Sequence, residues 1–268
     1  MDFTVLQSVY KNDKVEYLNE CFQSIENSTM LPKKIILIKD GEISLEMEKL
    51  INDWKTKLPI QYEGYKENKG LAYALSYGLS FVDTEIVARM DSDDIVYEDR
   101  FEKQIRYLET NPDIDFISGY IDEFKDNPNK IISTRIVPLT HDAIKMYLKK
   151  RNAFNHMAVM FKKSAVIESG SYQTVPYFED YDLWIRMIQK GYKAANLPDK
   201  LVKARIGNDM IGRRHGFSYA KKEIFFFKRQ LESGFITKKE YRKLIFLRIP
   251  IRLFPKSILK LAYKLLRG

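Results

Sequence analysis

Short apolar runs alternate with longer stretches whose apolar residues recur every three or four positions throughout the N-terminal part of the chain. The runs "FTVLQSVY", "KIILIKDG", "IQYEGY" and "EIVARM" predict strands, and "VEYLNECFQSIENS", "SLEMEKLINDWKTK" and "GLAYALSYGLSFVD" predict the helices between them. Such alternation implies right-handed crossovers and a mainly parallel sheet covered by helices on both faces. Ligands of such sheets bind outside the carboxyl ends of the strands. Three of the four runs end in polar residues at that rim: Ser8 and Tyr10, Lys39 and Asp40, and the group Asp91, Asp93 and Asp94. The turn Asn68, Lys69 and Gly70 enters the third helix at the same rim.

The alternation then stops. "EDRFEKQIRYLETNP" predicts a helix, "IDFISGYIDEF" and "KIISTRIVP" strands joined by the turn-rich "KDNPN", and "THDAIKMYLKKR" another helix. "NHMAVMF" predicts a strand, "EDYDLWIRMIQKG" a helix ending at Gly191, and "KLVKAR" a last strand. This mixed half laid on the parallel one predicts a single domain over residues 1–220, followed by a basic amphipathic helical extension over 221–268.

Composition adds that extension's character. The 268 residues are 45% hydrophobic and 30% charged, ordinary for a globular protein. Nearly all of the net charge of +9 comes from residues 241–268, which hold eight Lys or Arg and no acid. A general nucleic-acid surface is disfavoured, because basic residues are not in excess over the main domain. Lys256, Lys260, Lys264 and Arg267 fall on one side of a helix and Ile258, Leu261, Ala262 and Leu265 on the other, with Pro250 and Pro255 breaking it from the preceding segment. That is the pattern of an interfacial helix on an anionic membrane, and packing on the main domain with the lysines in water is the alternative. No secretory leader and no run of 18 apolar residues is visible, so a cytoplasmic protein, peripheral on the membrane, is expected. The single cysteine, Cys21, lies on the apolar face of its helix and reads as a core residue.

The candidate chemistry begins in "ARMDSDD". Desolvating several carboxylates costs several kcal/mol unless a cation or good hydrogen bonds compensate. A solvated acidic turn is the plain reading. A hard divalent cation, Mn or Mg, shared with a diphosphate is the chemical one. Neither GxGxxG nor GxxxxGK[ST] occurs, so the Rossmann and P-loop readings lack support.

"SVY" after the first strand, "KDG" after the second, "NKGLAYAL", "ARMDSDD" and "YFEDYDLWIRM" stand in an order that resembles a family 2 glycosyltransferase of the bacterial capsule, O-antigen and exopolysaccharide type, over roughly residues 3–220. The resemblance implies the GT-A nucleotide-diphospho-sugar transferase fold: a mainly parallel central sheet with helices on both faces, a mixed C-terminal half and C-terminal helices. It implies an inverting, metal-dependent transfer from a nucleotide sugar, UDP-linked, to a lipid-linked saccharide at the inner face of the membrane.

By this resemblance Ser8, Val9 and Tyr10 line the nucleoside pocket and Asp40 reads the uracil edge, while Asn68 and Gly70 begin the helix facing the nucleotide. Arg89, Asp91 and Ser92 lie beside the donor. Asp93 is the firmest metal ligand, with Asp91, and His215 an additional one. Asp180, beside Glu179, is the general base that takes the acceptor proton. Arg213 and Arg214 contact the diphosphate, and His156 and Trp184 lie on the acceptor side. A sugar-1-phosphate nucleotidylyltransferase, which wants a Gly-rich, Arg-containing loop where "SVYKNDKVEY" stands, and a non-catalytic nucleotide-binding module are the rival readings.

Overall fold

The computed structural model describes residues 1–207 and 215–254. Strands β1 (Phe3–Val9), β2 (Lys34–Asp40), β3 (Ile60–Tyr65) and β4 (Ile86–Arg89) alternate with helices α1 (Val15–Glu26), α2 (Leu45–Trp54) and α3 (Leu71–Leu79), as the apolar pattern predicts. These four strands are parallel, in the order β3-β2-β1-β4. Their carboxyl ends therefore share one rim.

Alternate residues of each strand serve opposite faces. Leu6, Ile36, Ile38 and Val87 pack into one apolar cluster, whereas Phe3, Val5, Ile35, Leu37 and Ala88 pack into the other. The first cluster is completed by α3 and by helices of the second half, and the second by α1, α2 and α4 (Arg100–Thr110). Both faces are thus dry, which explains the near-continuous apolar runs.

Beyond β4 the sheet becomes mixed. The two-residue β5 (Ile95–Val96), β6 (Phe116–Phe124), β7 (Ile131–Arg135), β8 (Met160–Lys162) and β9 (Ala194–Arg205) complete it. The path runs β4-β8-β6-β9-β5, with β7 on the other side of β6. β8 is antiparallel to both β4 and β6, and β9 is parallel to β6. Helices α5 (His141–Leu148), α6 (Lys163–Glu168) and α7 (Glu179–Gln189) fill one face. Part of the segment expected as one strand, His156–Ala158, is a 3-10 turn, and β9 begins six residues before Lys200 of the expected strand.

Two expectations about the C-terminal region need correction. The division between residues 220 and 221 falls inside α8 (Gly216–Glu232). Phe226 and Phe227 of that helix are buried in the same cluster as Phe178 and Tyr181, so α8 is part of the main core. Pro250 does not break the chain: α9 (Lys238–Leu253) runs through it. The helix ends at Phe254, φ −69° and ψ 155°, the extended conformation expected of a residue that precedes proline. The basic segment 256–267 lies outside the described residues.

Candidate active site

The acidic turn joins β4 to β5, and its geometry is set by elements distant in sequence. Carboxylate oxygens of Asp91, Asp93 and Asp94 all lie within 4.8 Å of one another. Asp94 is buried and accepts the backbone N–H of Arg205 at 2.8 Å. Asp91 and Asp93 are only partly buried. Burial, then the charge of Asp91, pushes the Asp93 carboxyl up to about 6, and burial with Asp93 and Asp91 raises Asp94 well above the usual range. This like charge is compressed, not solvated. The plain reading of a solvated turn therefore fails for Asp94.

Three residues that sequence reasoning missed hold the turn. Asp13 accepts from the Ser92 hydroxyl at 3.0 Å and from the Tyr10 N–H at 3.0 Å, tying the end of β1 to the acidic turn. Burial pushes its carboxyl up to about 7. Gln7 donates to the Asp91 carbonyl at 3.4 Å and to Cys21 Sγ at 3.0 Å. Cys21 is buried and its thiol is pushed up by that burial, in keeping with a core role. Arg205, at the end of β9, pairs with Glu20, donates to the Asp93 carbonyl at 3.2 Å and covers the Tyr17 ring at 3.8 Å. "KND" after "SVY" is a turn signature that marks Asp13, but nothing local marks Arg205.

Arg89 is 1% exposed and pairs with Asp91. Among the described residues neither its Nε nor its NH1 has a hydrogen-bond partner. Its charge pulls down the carboxyls of Asp93, Asp94, Glu179 and Asp180, and with burial it holds His156 well below the usual histidine value. Arg89 thus acts electrostatically on both carboxylate centres. Behind it the buried Arg100 donates to the Arg89 carbonyl at 2.8 Å, and burial, then the charge of Arg89, lowers its guanidinium to about 9.

The second centre opens α7. Glu179 and Asp180 stand in its first turn, where the helix dipole favours negative charge. Burial, then Asp180, pushes Glu179 up to about 7, and burial raises Asp180. The Asn152 side-chain N–H donates to Asp180 at 2.6 Å, while the Asn152 carbonyl accepts from Arg135 at 3.1 Å. Two residues before Glu179, Tyr177 holds φ +72°, a strained conformation for a residue with a side chain.

Other predicted residues divide. Asp40 is 5% exposed, and its carboxylate already accepts from Asn68 Nδ2 at 2.8 Å, Lys69 N at 2.7 Å and Gly70 N at 3.0 Å. The Tyr65 hydroxyl also faces this carboxylate, so Asp40 is largely engaged within the protein, as a turn former before Gly41 would be. Gly41, φ +87°, follows it, and a Cβ there would lie 2.8 Å from Asn68 N. Asn68 and Gly70 flank this turn, and Gly70, φ +86°, caps α3. Ser8 is half-buried and Tyr10 exposed at the rim.

Several side chains lie elsewhere than expected. Val9 is buried in the core, because β1 is covered on both faces and its alternate residues have no outlet. Trp184 is fully buried and stacks on Phe116 with centroids 5.5 Å apart, so it does not face an acceptor. His156 is half-buried with Nε2 3.1 Å from the Tyr172 hydroxyl, and its depressed value keeps it neutral. His215 does not join the acidic cluster among the described residues; its Nε2 lies 2.7 Å from the Phe254 carbonyl. Arg213 and Arg214 lie outside the described residues.

Comparison with known proteins gives the family and the fold. The sequence profile described as "Glycosyl transferase family 2" matches residues 6–172, stopping short of Glu179 and Asp180. Relatives extend the likeness through that pair. The chain is 36% identical to the amylovoran biosynthesis glycosyltransferase AmsE of Erwinia amylovora, covering 98% of each. It is 34% identical to the UDP-Gal:alpha-D-GlcNAc-diphosphoundecaprenol beta-1,3-galactosyltransferase of Escherichia coli, over 98% of this chain and 95% of that one. Among solved structures it superposes on the mannosyltransferase PcManGT of Pyrobaculum calidifontis, in complex with GDP-Man and Mn2+, with a TM-score of 0.66 at 17% identity, covering 99% of this chain and 75% of that one. S. aureus TarS 1-349 in complex with UDP-GlcNAc gives 0.68 at 12% identity, over 94% and 72%. The fold is that of the GT-A glycosyltransferases. The chain belongs to glycosyl transferase family 2, and within it resembles the members that build bacterial surface polysaccharide.

Proposed function

We propose that this glycosyltransferase moves a sugar from a UDP-sugar to a hydroxyl of a lipid-linked saccharide at the inner face of the bacterial membrane. The transfer inverts the anomeric carbon and depends on a divalent cation, Mn or Mg. The observation that carries this reading is the pair of carboxylate centres under one buried arginine, Arg89, with Asp180 oriented by Asn152.

The residues of the acidic turn fit such a cation. Asp91 and Asp93 offer hard oxygen donors within 4.8 Å of each other, and burial leaves Asp93 short of compensating charge. Asp94, engaged by Arg205, supports the turn from behind. When bound, the cation offsets the charge that develops on the departing nucleoside diphosphate.

On the opposite side Asp180 accepts the proton of the acceptor hydroxyl. The hydroxyl oxygen bonds to the anomeric carbon as the bond from that carbon to the diphosphate oxygen breaks, and the electron pair leaves with UDP. A positioned base contributes roughly 10² to 10⁴ in rate to such a step. Burial, then the charge of Asp180, raises Glu179 beside it. Arg89, buried and paired with Asp91, supplies positive charge beside the donor site. Ser8, Tyr10 and Asp40 serve the nucleoside, and Arg213 and Arg214 its phosphates. His156, neutral, hydrogen-bonds on the acceptor side.

The UDP donor and lipid-linked acceptor are supported by the name of the Escherichia coli relative, which specifies both for that enzyme. A non-catalytic nucleotide-binding module would give the Asn152–Asp180 pair no task. Calorimetric titration with UDP, GDP and CMP, each with Mn and with chelator, tests the reading. UDP binding that needs the metal is expected; no nucleotide binding in either condition refutes it.

A further inference from the structure

Along α9, Lys239, Arg242, Lys243, Phe246, Pro250 and Leu253 recur at spacings of three and four, which places them on one face. All six are exposed, Phe246 at 78% and Leu253 at 52%. The opposite face is occupied: Leu244 joins the core, and Arg248 and Arg252 grip the buried Glu223 of α8 at 2.6 and 2.8 Å. Glu240, the one acid among residues 238–254, is held by Lys149 at 3.0 Å and by the Thr237 N–H at 2.7 Å. The outward stripe therefore carries cations toward its start and apolar side chains toward its end, without an acid. On α8, Phe217, Lys221 and Phe225 repeat this combination at exposed positions.

The attachment of α9 gives the stripe a relation to the chemistry. Lys149 binds Glu240 of α9, and Arg248 of α9 donates to the Lys150 carbonyl at 3.2 Å. Two residues further on, Asn152 holds Asp180. The helix is strapped to the segment that orients the base.

We infer that the outward face of α9 docks on an anionic lipid bilayer, with Lys239, Arg242 and Lys243 against acidic headgroups and Phe246 and Leu253 in the interfacial layer. Charge complementarity selects this occupant, and no described helix is long and apolar enough to cross a membrane. The inference rests on the lipid-linked acceptor proposed above: docking there sets the bilayer against the helix that is strapped to the segment holding Asp180.

Flotation of the full chain with phosphatidylcholine vesicles, with and without phosphatidylglycerol, tests this. Binding to the anionic vesicles that weakens with salt is expected. Lys239→Glu/Arg242→Glu/Lys243→Glu and Phe246→Ser/Leu253→Ser should each weaken it by at least about ten-fold, with metal-dependent UDP binding and the melting temperature unchanged. Equal flotation of wild type and both variants overturns the inference, as does equal binding to neutral vesicles. So does a chain that binds neither vesicle but forms a dimer that Phe246→Ser/Leu253→Ser disrupts. The nucleotide titration separates the two readings: a wild-type chain that binds UDP but does not float with anionic vesicles refutes the docking face alone, and absent UDP binding refutes the enzymatic assignment.

Discussion

Asn152 donates a side-chain hydrogen to Asp180 at 2.6 Å from a segment that Arg135 and Phe154 also hold, at 3.1 Å each. A hydrogen bond to the ionised form opposes the burial that raises the Asp180 carboxyl. Asn152→Ala should therefore lower turnover by roughly ten- to a hundred-fold near neutral pH, the loss expected of a charged hydrogen bond worth about 1.5–3 kcal/mol. Because the mutation makes Asp180 harder to ionise, the acid limb of the pH–rate profile should move to higher pH. An unchanged limb would leave Asn152 a merely structural residue.

Asp180→Asn should keep metal-dependent UDP binding and lose transfer by roughly 10² to 10⁴. In the wild-type enzyme the rate should rise with pH through an apparent pKa above the 3.8 of an ordinary aspartate, since burial raises this group. Parallel loss of donor affinity in the variant would argue against its role as base.

Asp93→Asn makes an opposed pair of outcomes. The folded carboxyl is raised to about 6 against an ordinary 3.8, so its protonation stabilises the fold fully below pH 3.8 and that contribution is lost as pH rises through about 6. At pH 8 in chelator the ionised group is a net penalty, and the variant should melt higher than wild type by roughly 2–4 °C. With Mn the order should reverse, since only the wild type retains the ligand, and turnover of the variant should collapse. Thermal melts with and without metal, alongside activity, check both halves.

Asp182 lies two residues beyond Asp180 on α7 and is fully buried. It accepts from Arg186 at 2.7 Å, Arg229 at 2.7 Å and Gln230 at 3.2 Å, joining α7 to α8. Asp182→Ala removes this shared acceptor, while Arg186 keeps the Ser169 and Ser171 carbonyls and Arg229 keeps Gln173, and should cost about 1–3 kcal/mol in urea unfolding. A loss under about 1 kcal/mol would mean that α8 is held by its aromatic contacts with Phe178 and Tyr181 alone.

The parallel half was legible because each of its strands is buried on both faces and each helix on one, and those periods survive in the sequence. The short β5 and the early start of β9 were not, since β5 is a two-residue pairing and β9 includes Pro198 and Asp199 in a register shift against β6. Carboxylates gathered in one turn could be read from adjacency. Asn152 and Arg205 could not, because their partners stand 28 and 111 positions away. Trp184 was misplaced for another reason. One helix carries Asp180 at its open end and Trp184 one turn into the core, and position in a motif does not separate the two.

Arg205 has a consequence for the order in which the protein comes together. Its contacts span 185 residues to Glu20 and 111 to Asp94. Long closures of this kind are late events in folding, and a chain made from its N-terminus presents β1 to β4 well before residue 205 exists. Until then the carboxylates of the turn lack the backbone donor and the cation that hold them. The capacity to gather charge at this rim is therefore acquired only after residue 205 has been made, when β1 to β4 are already present.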